Sequence, residues 1–403
     1  MSARPGYLFV LPWTLDSIGG VSVAVRGIAT AMRRQGSLRP IVMVLDWRSP
    51  RVVRVPDPDL EVCSLRIPDP LGQSSWRTRT IALLVTLPLS MLRLAAFLRR
   101  ENIEVVNFHY PGLHCVAVLL LRAVGLYRGR VVLSFHGRDV TTIREETRPW
   151  RRRLWRLALA RVDASVACSE SLAKEVASLE GAAAGRVEVI GNGVDSSAIR
   201  RMASVASGAP QLGRPYVLCL ATYEHKKGLD VLVDAFRAVA DARPEIDLVV
   251  CGRRGESFDD VVARIRARGL EPRVHVLFDV PHERAIGWLD AARLLVLPSR
   301  NEPFGLVVLE AAVLGVPVVA TSVCGVVDVV PRNLLAVVPP DDAAALADAI
   351  LVTLDDEAAA RSRAAELGRF VEARLSWSAA ADAYAAFAAV GASAARADAP
   401  SPR

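Results

Sequence analysis

The chain has 403 residues, more than the roughly 100–200 residues of a usual single domain, so we expect two domains with separate cores. Apolar residues make up 52% of the sequence and charged residues 23%, which indicates a globular protein and excludes a disordered one. Residues 1–200 carry 28 basic against 17 acidic residues, whereas residues 201–403 carry 22 against 26. This uneven charge indicates different partners for the two halves.

Neither a membrane span nor a signal peptide is indicated by the hydropathy pattern. Pro88 and Arg93 interrupt the nearest apolar stretch, Thr80–Leu98, and the amino-terminal apolar run is short and meets Asp16. We therefore expect a cytoplasmic protein. The six cysteines are dispersed, without a C-x-x-C pair, and most lie in apolar segments. They are predicted to be buried thiols, neither disulfides nor zinc ligands.

The first predicted strand, Tyr7–Leu11, is followed by Gly19, Gly20 and a helix from Val21 to Gln35. Two glycines between a strand and a helix let backbone amides approach a phosphate closely, and a mere tight turn explains them equally well. The sequence contains no G-x-G-x-x-G and no Walker motif. Neither a dinucleotide-dependent oxidoreductase nor a P-loop protein is therefore indicated.

Further along, a helix is predicted at Ile81–Arg99, and His136 follows a predicted buried strand, Arg130–Phe135. Ligands bind at this end of the strands in doubly wound sheets, so the histidine is a candidate acid, base or hydrogen-bond donor. The alternative is a loop histidine satisfied by backbone. Asp57 and Asp59 form a D-x-D pair, which holds a metal in some transferases, but they lie in a proline-flanked loop, and a solvated turn is favoured.

A basic helix is predicted over residues 149–162. It combines tryptophans and leucines with five arginines: Arg151, Arg152, Arg153, Arg156 and Arg161. Such a helix is suited to an anionic membrane surface. A helix that packs its leucines on the core and solvates its arginines is an equally good explanation.

The domain boundary is predicted at residues 201–214, which are rich in Ser, Gly, Pro and Gln. This linker separates an amino-terminal domain, 1–200, from a carboxy-terminal domain, 215–375. A last helix, 376–392, is expected to pack back on the first domain, and residues 393–403 are expected to fray.

In the second half, Lys226 and Lys227 lie between the predicted strand Tyr216–Leu220 and a helix. Adjacent lysines at such a position suit a diphosphate, because their point charges add to the dipole of the helix terminus; a solvated charged turn is the ordinary alternative. The next strand, Asp247–Cys251, ends at Gly252. Strands and helices alternate throughout, so both halves are predicted to be α/β with parallel sheets.

The segment from Leu294 to Asp328 has the pattern of a strand, a helix and a second strand. Glu302 lies in the loop after the first strand, the helix is predicted to begin near Gly305, and Glu310 falls about one and a half turns into it. A helix amino terminus at this edge of a sheet favours a phosphate. A plain βαβ unit with solvated glutamates is the alternative.

Taken in order along nearly the whole chain, these motifs resemble the retaining glycosyltransferases of family 4, also called glycosyl transferases group 1. Glu302 and Glu310 stand at the spacing of that family's E-x7-E motif, and Ser134–Gly137, Ile190–Asp195 and Lys226–Asp230 match further motifs in the expected order. The resemblance implies the GT-B fold, in which two Rossmann-like doubly wound parallel-sheet domains face each other across a cleft.

The resemblance also implies site residues. Glu302 would contact the donor sugar, Lys227 would neutralise the departing phosphate, and His136 would approach the sugar from the other domain. Glu310 would bind the ribose hydroxyls. The residues implied in donor binding are Glu310, Gly19, Gly20, Lys226, Phe304, Gly305, Leu306 and Gly252.

The implied activity is hexosyl transfer with retention, without a metal or other cofactor, from a UDP- or GDP-sugar to a glycan or lipid-linked glycan in polysaccharide or glycoconjugate biosynthesis. The basic helix would then touch the inner face of the cell membrane, and no nucleic-acid partner is expected. Two positions depart from the family pattern: Thr222 replaces a frequent arginine, and Asp328 replaces a glutamate. The alternative is a catalytically idle nucleotide-sugar-binding or scaffold protein, against which both glutamates, Lys227 and His136 argue.

Overall fold

The computed structural model describes residues 4–17, 19–46, 51–65, 87–205 and 212–397. The chain divides into two compact units, Met1–Ile190 with Trp377–Arg403, and Gly191–Ser376. Each unit is built on its own sheet of mainly parallel strands with helices between the strands, which confirms the expected α/β fold class.

The first unit contains an eight-stranded sheet in the order β3-β4-β2-β1-β5-β6-β7-β8, in which β3 is antiparallel to β4 and the other neighbours are parallel. Its strands are β1 (Gly6–Leu11), β2 (Arg39–Leu45), β3 (Val53–Val55), β4 (Glu61–Leu65), β5 (Ile103–His109), β6 (Arg130–Phe135), β7 (Ala164–Ala167) and β8 (Val187–Val189). Its helices are α1 (Gly20–Gln35), α2 (Leu87–Arg100), α3 (Cys115–Ala123), α4 (Arg138–Arg144), α5 (Pro149–Arg161), α6 (Glu170–Ala177) and, at the end of the chain, α14 (Trp377–Ala397).

The core of the first unit forms around β1, which is buried along its whole length between β2 and β5. A strand covered on both faces needs a continuous apolar sequence, and Gly6–Leu11 supplies one. Helix α1 buries residues at the helical spacing of Val25, Ile28 and Met32 against the same cluster. Helix α14 contributes Tyr384 to that cluster, so the last helix completes the first core.

The second unit contains a six-stranded parallel sheet in the order β11-β10-β9-β12-β13-β14. Its strands are β9 (Tyr216–Leu220), β10 (Asp247–Gly252), β11 (Val274–Phe278), β12 (Leu294–Leu297), β13 (Val318–Thr321) and β14 (Ala336–Val338). Its helices are α7 (Ser196–Val205), α8 (Leu229–Ala242), α9 (Phe258–Ala267), α10 (His282–Asp290), α11 (Leu306–Leu314), α12 (Ala343–Asp355) and α13 (Glu357–Arg374).

The division of the chain falls at residue 190, earlier than the predicted linker. Helix α7 belongs to the second unit, contacts α10 and α11, and extends into the first residues of the predicted linker. Residues 206–211 of that linker and residues 81–86 of the helix predicted at Ile81–Arg99 lie outside the described residues.

The six cysteines are all buried and free, as predicted. Asp57 differs from the predicted solvated turn, since its side chain is only 7% exposed. It accepts hydrogen bonds from the amides of Asp59 and Leu60 and pairs with Arg26, so it closes the turn internally. Among the helices of the described ranges, none is long and apolar enough to cross a membrane.

Candidate functional site

In the second unit, the loops that follow β9 and β12 bring Lys227 and Glu302 into contact. The Nζ atom of Lys227 donates a hydrogen bond to Oε2 of Glu302 at 2.5 Å, and the two side chains are only 18% and 16% exposed. Burial alone would lower the pKa of Lys227, but the adjacent Glu302 carboxylate raises it above its usual range. The lysine is therefore a charged ammonium at the carboxyl edge of the sheet, where parallel α/β sheets bind ligands.

Arg300 fastens these two loops together, a role that sequence analysis missed. Its backbone amide donates to the carbonyl of Lys226 at 2.8 Å, and its guanidinium makes two 2.8 Å hydrogen bonds to the carboxylate of Asp230. A third bond, from Nε, reaches Asp341 at 2.5 Å. A planar guanidinium that satisfies two carboxylates holds its loop more rigidly than a lysine would. The sequence signal that could have identified Arg300 is its position in the same loop as Glu302.

Two glycines allow close approach of backbone near the lysine turn. Gly228 has φ +64°, and the position that a Cβ would occupy is filled by the carbonyl oxygen of Pro298. The corresponding position at Gly252 is filled by the carbonyl oxygen of Ala221. Both sites therefore require glycine for packing, whatever ligand they meet.

The loop after Glu302 leads into α11 through Phe304 and Gly305. The carbonyls of Glu302 and Phe304 accept hydrogen bonds from the amides of Gly325 and Val326, at 2.9 and 2.8 Å, so the loop is tied to the segment after β13. Gly305 adopts φ +97°, and α11 begins at Leu306 without a side-chain cap. The uncapped first turn of a helix offers amides and a positive dipole end to an anion.

Glu310, on α11, is engaged by a residue that sequence analysis did not select. Nε2 of His282, at the start of α10, lies 2.8 Å from Oε1 of Glu310. The hydrogen bond to Glu310 raises the pKa of His282, although partial burial opposes the shift. Any ligand hydroxyl that binds Glu310 would therefore share the carboxylate with an imidazole.

In the first unit, His136 lies immediately after β6. Its backbone amide and that of Gly137 donate to the buried carboxylate of Asp139, at distances of 2.9 and 2.8 Å. Burial raises the pKa of Asp139 to about 6, against these amide hydrogen bonds. Burial also lowers the pKa of His136 to about 4, so its ring is neutral at pH 7. Nε2 of His136 lies 3.1 Å from Nδ1 of His109.

The predicted residues divide between the two units. Gly19, Gly20 and His136 belong to the first unit, and the remaining ones belong to the second. Helix α1 begins at Gly20 without a side-chain cap, and the backbone of Gly19 is extended, so neither position requires glycine by strain. A cavity in the first unit lies at the opposite edge of its sheet, near Tyr127, and none of the predicted residues lines it.

The basic helix α5 packs on the unit and pairs several of its arginines. Trp155 and Leu159 are buried, whereas Trp150 is 40% exposed. Arg151 pairs with Glu146 at 2.5 Å, and Arg156 pairs with Glu180 at 2.9 Å. The free basic charge on this helix is therefore smaller than its composition indicates.

The chain matches two family models in succession. Residues 18–198 match the model described as Glycosyltransferase Family 4, and residues 203–369 match the model described as Glycosyl transferases group 1. Together with the two α/β units, these matches define a glycosyltransferase of the GT-B fold. The chain belongs to the family 4, or group 1, glycosyltransferases, as the motifs indicated.

Relatives of this chain include mannosyl- and other glycosyltransferases. It is 29% identical to a phosphatidyl-myo-inositol mannosyltransferase of Mycobacterium leprae over 92% of each chain. It is 30% identical to a glycogen synthase of Mycobacterium tuberculosis over 53% of this chain, and the match spans about half, 51%, of that relative. It is 33% identical to a D-inositol 3-phosphate glycosyltransferase of Xylanimonas cellulosilytica over 54% of this chain and 55% of that relative.

Solved structures share the fold at low sequence identity. A sucrose-phosphate synthase from Thermosynechococcus elongatus superposes with a TM-score of 0.73 at 22% identity, over 97% of this chain and 100% of that chain. The Anabaena protein HepE, solved with UDP and glucose, superposes with a TM-score of 0.70 at 19% identity, over 95% and 98% of the two chains. These similarities establish the GT-B fold.

Proposed function

We propose that this glycosyltransferase moves a hexose from a nucleotide-diphosphate sugar, with UDP or GDP as the nucleotide, to a glycan or lipid-linked glycan, with retention of configuration. The observation that carries the proposal is the Lys227 and Glu302 pair beside the uncapped amino terminus of α11. A part-buried ammonium and free helix amides together suit a diphosphate whose negative charge grows as the glycosidic bond breaks.

The proposed division of labour follows from charge. Lys227 stabilises the leaving diphosphate, with Lys226 in support, and the amides of Phe304, Gly305 and Leu306 complete its binding. Glu302, an acceptor-only group, orients the sugar hydroxyls and keeps the lysine charged. Because the lysine and the helix terminus supply the positive charge, transfer is expected to proceed without a metal, and EDTA should leave the rate unchanged.

Support for the donor and acceptor classes comes from the relatives and structural neighbours. HepE was solved with UDP and glucose, and the mannosyltransferase of Mycobacterium leprae is named for phosphatidyl-myo-inositol. We propose a lipid-linked acceptor on the same ground. The exposed Trp150, with the exposed Arg153 and Arg161 of α5, then provides contact with an anionic membrane at its cytoplasmic face. Absence of binding to anionic vesicles at low salt would contradict that contact.

A thermal-shift screen with UDP-, GDP- and ADP-sugars tests the donor. A ligand at a hundred times its dissociation constant stabilises the folded protein by about 2.7 kcal/mol, so the correct nucleotide should raise the melting temperature clearly. No shift with any of them would overturn the proposed donor class. Binding without transfer to any glycan or lipid acceptor would instead support the scaffold alternative.

Substitution of Glu302 then tests the chemistry. Glu302→Gln removes the carboxylate charge and should lower kcat/KM by about 100-fold or more, the usual effect of losing one preorganised electrostatic group. Lys227→Met should cause a loss of similar size. Glu366→Gln, an exposed position on α13, is the matched control and should retain the activity of the wild type. Transfer unaffected by Glu302→Gln would contradict the proposed role of the pair.

A further inference from the structure

A buried chain of polar groups ends at His136 in the first unit. Asn107 and His109 lie on β5, are both 0% exposed, and are followed in space by His136. Tyr7, Ser134 and Tyr384 complete the chain, from β1, β6 and α14. Buried polar groups must pair their hydrogens with acceptors, so the direction of each hydrogen bond in this chain can be derived.

The amide of Asn107 sets that direction. Its nitrogen lies 3.1 Å from the hydroxyl of Tyr7 and 3.2 Å from Nε2 of His109, and its oxygen accepts from Ser134 Oγ at 2.9 Å. The nitrogen carries two hydrogens and therefore needs two acceptors, and the hydroxyl of Tyr7 and Nε2 of His109 provide them. In the reversed orientation the nitrogen would face Ser134 Oγ alone, so one of its two buried N–H groups would have no acceptor among the described residues. Asn107 consequently donates to Nε2 of His109.

The rest of the chain follows. Burial and the neighbouring His136 hold the pKa of His109 well below its usual range, so its ring is neutral and has one proton. Since Nε2 accepts from Asn107, that proton is on Nδ1, which donates to Nε2 of His136 at 3.1 Å. His136 is neutral too, and its single proton must therefore be on Nδ1.

Nδ1 of His136 makes no hydrogen bond within the described part of the chain. The fully buried side-chain atoms that lack a partner there are His114 Nε2 and Ser257 Oγ, so Nδ1 of His136 is not fully buried. The proton is thus presented outward, at the ligand edge of the sheet.

We infer that His109 is a positioning residue that locks His136 in the Nδ1–H form, so that His136 is a hydrogen-bond donor at the ligand edge of the sheet of its own unit and does not act as a base. This inference rests on the proposed function and assigns one of the three roles that the sequence left open for His136. Asn107 sets the proton on His109, and Ser134 and Tyr384 hold Asn107 in turn.

The tautomers are measurable in the free 403-residue protein by long-range proton–nitrogen NMR with labelled histidine. Both His109 and His136 should show a protonated Nδ1 and an unprotonated Nε2, unchanged between pH 6 and pH 8. An Nε2–H form at either ring would overturn the inference. Tyr384→Phe removes the far hydroxyl and keeps the aromatic ring that lies against His109, at 5.8 Å between ring centroids, so both tautomers should persist in that variant.

Two substitutions at His109 test its effect on His136. His109→Asn keeps an N–H donor at the place of Nδ1, whereas His109→Leu removes it. The leucine variant should release the His136 tautomer, so that Nδ1–H and Nε2–H forms of His136 both appear in the NMR spectrum. The asparagine variant should keep His136 in the Nδ1–H form. Circular dichroism and melting temperature identify a variant that fails to fold.

The same His136 tautomers in the two variants would overturn the positioning role. If the wild-type protein binds no nucleotide sugar, the proposed function fails, and with it the use of His136 as a donor to a ligand. The NMR result for the free protein still decides separately whether His109 fixes the tautomer, so the two failures are distinguishable.

Discussion

His282 and Glu310 show how a single pair of residues makes stability depend on pH. The hydrogen bond to Glu310, with Glu283 nearby, raises the pKa of His282 in the folded protein above its unfolded value of about 6.5. A raised histidine pKa contributes stability that is fully present below the unfolded pKa and is lost as pH rises through the folded pKa. Because the side chain of His282 is 51% exposed, solvent screens the pair, and we expect less than about 1 kcal/mol.

We therefore predict that His282→Gln lowers the free energy of unfolding more at pH 5.5 than at pH 8.5. Urea denaturation of the wild type and the variant at both pH values measures the difference in their free energies of unfolding. The contributions of the other titrating groups cancel in that difference. Glu310→Gln should cause a similar loss at pH 5.5, and the double variant should lose little more than either single one. A difference that grows toward high pH would contradict the assigned pair.

At the residue scale, the sequence predicted the groups but not their partners. Lys227 and Glu302 were selected separately, because lysines before a helix and a glutamate after a strand each suit a phosphate or a sugar. Their contact joins residues 75 positions apart, and that of His282 with Glu310 joins residues 28 apart. Such contacts depend on strand order, since β12 lies beside β9, which spacing along the chain does not reveal.

At the element scale, the turn between β9 and α8 depends on Gly228, where backbone conformation and packing both matter. Gly228→Ala would force a side chain onto φ +64° and into the carbonyl of Pro298. The positive φ alone costs about 1 kcal/mol. The clash with the carbonyl of Pro298 adds a further cost, because it displaces the lysine turn from the loop of Glu302. We predict a loss of nucleotide-sugar affinity as well as stability, measured by calorimetric titration and urea denaturation.

Gly269→Ala is the matched control for this prediction. Gly269 has the same φ of +64°, but nothing lies within 4 Å of the position of its Cβ. The Gly269→Ala variant should therefore lose only the stability that the positive φ costs, and it should keep its affinity for the donor. Equal effects of the two substitutions would show that close packing at Gly228 does not hold the turn.

Elements with strong local patterns were predictable, and those defined by distant packing were not. The start of α11 near Gly305 followed from the glycine and from apolar residues at helical spacing, and the structure confirms it. The predicted linker begins inside helix α7, because residues 201–214 as a whole are rich in Ser, Gly, Pro and Gln. Its place in the second unit comes from contacts with α10 and α11, which local composition does not show.

At the scale of the whole molecule, the chain returns to its first unit after completing the second. Helix α14 buries Tyr384 and Phe387, both 4% exposed, in the cluster that contains β1 and α1. The place of a Cβ on Gly27 of α1 is filled by the indole of Trp377, so the two helices pack closely. The first unit is therefore discontinuous in sequence, and its core requires the end of the chain.

We predict that a chain ending at Ser376 loses the folded first unit while the second unit keeps its structure. Burial of two aromatic side chains alone contributes about 3–6 kcal/mol, comparable to the total stability of about 5–15 kcal/mol typical of a domain. Scanning calorimetry should show that the transition of the first unit disappears. The remaining transition should still shift upward with UDP or GDP, because Lys227, Glu302 and Glu310 lie in the second unit. A control chain ending at Ala397 keeps α14 and should match the 403-residue chain. Two intact transitions in the shorter chain would contradict the dependence of the first core on α14.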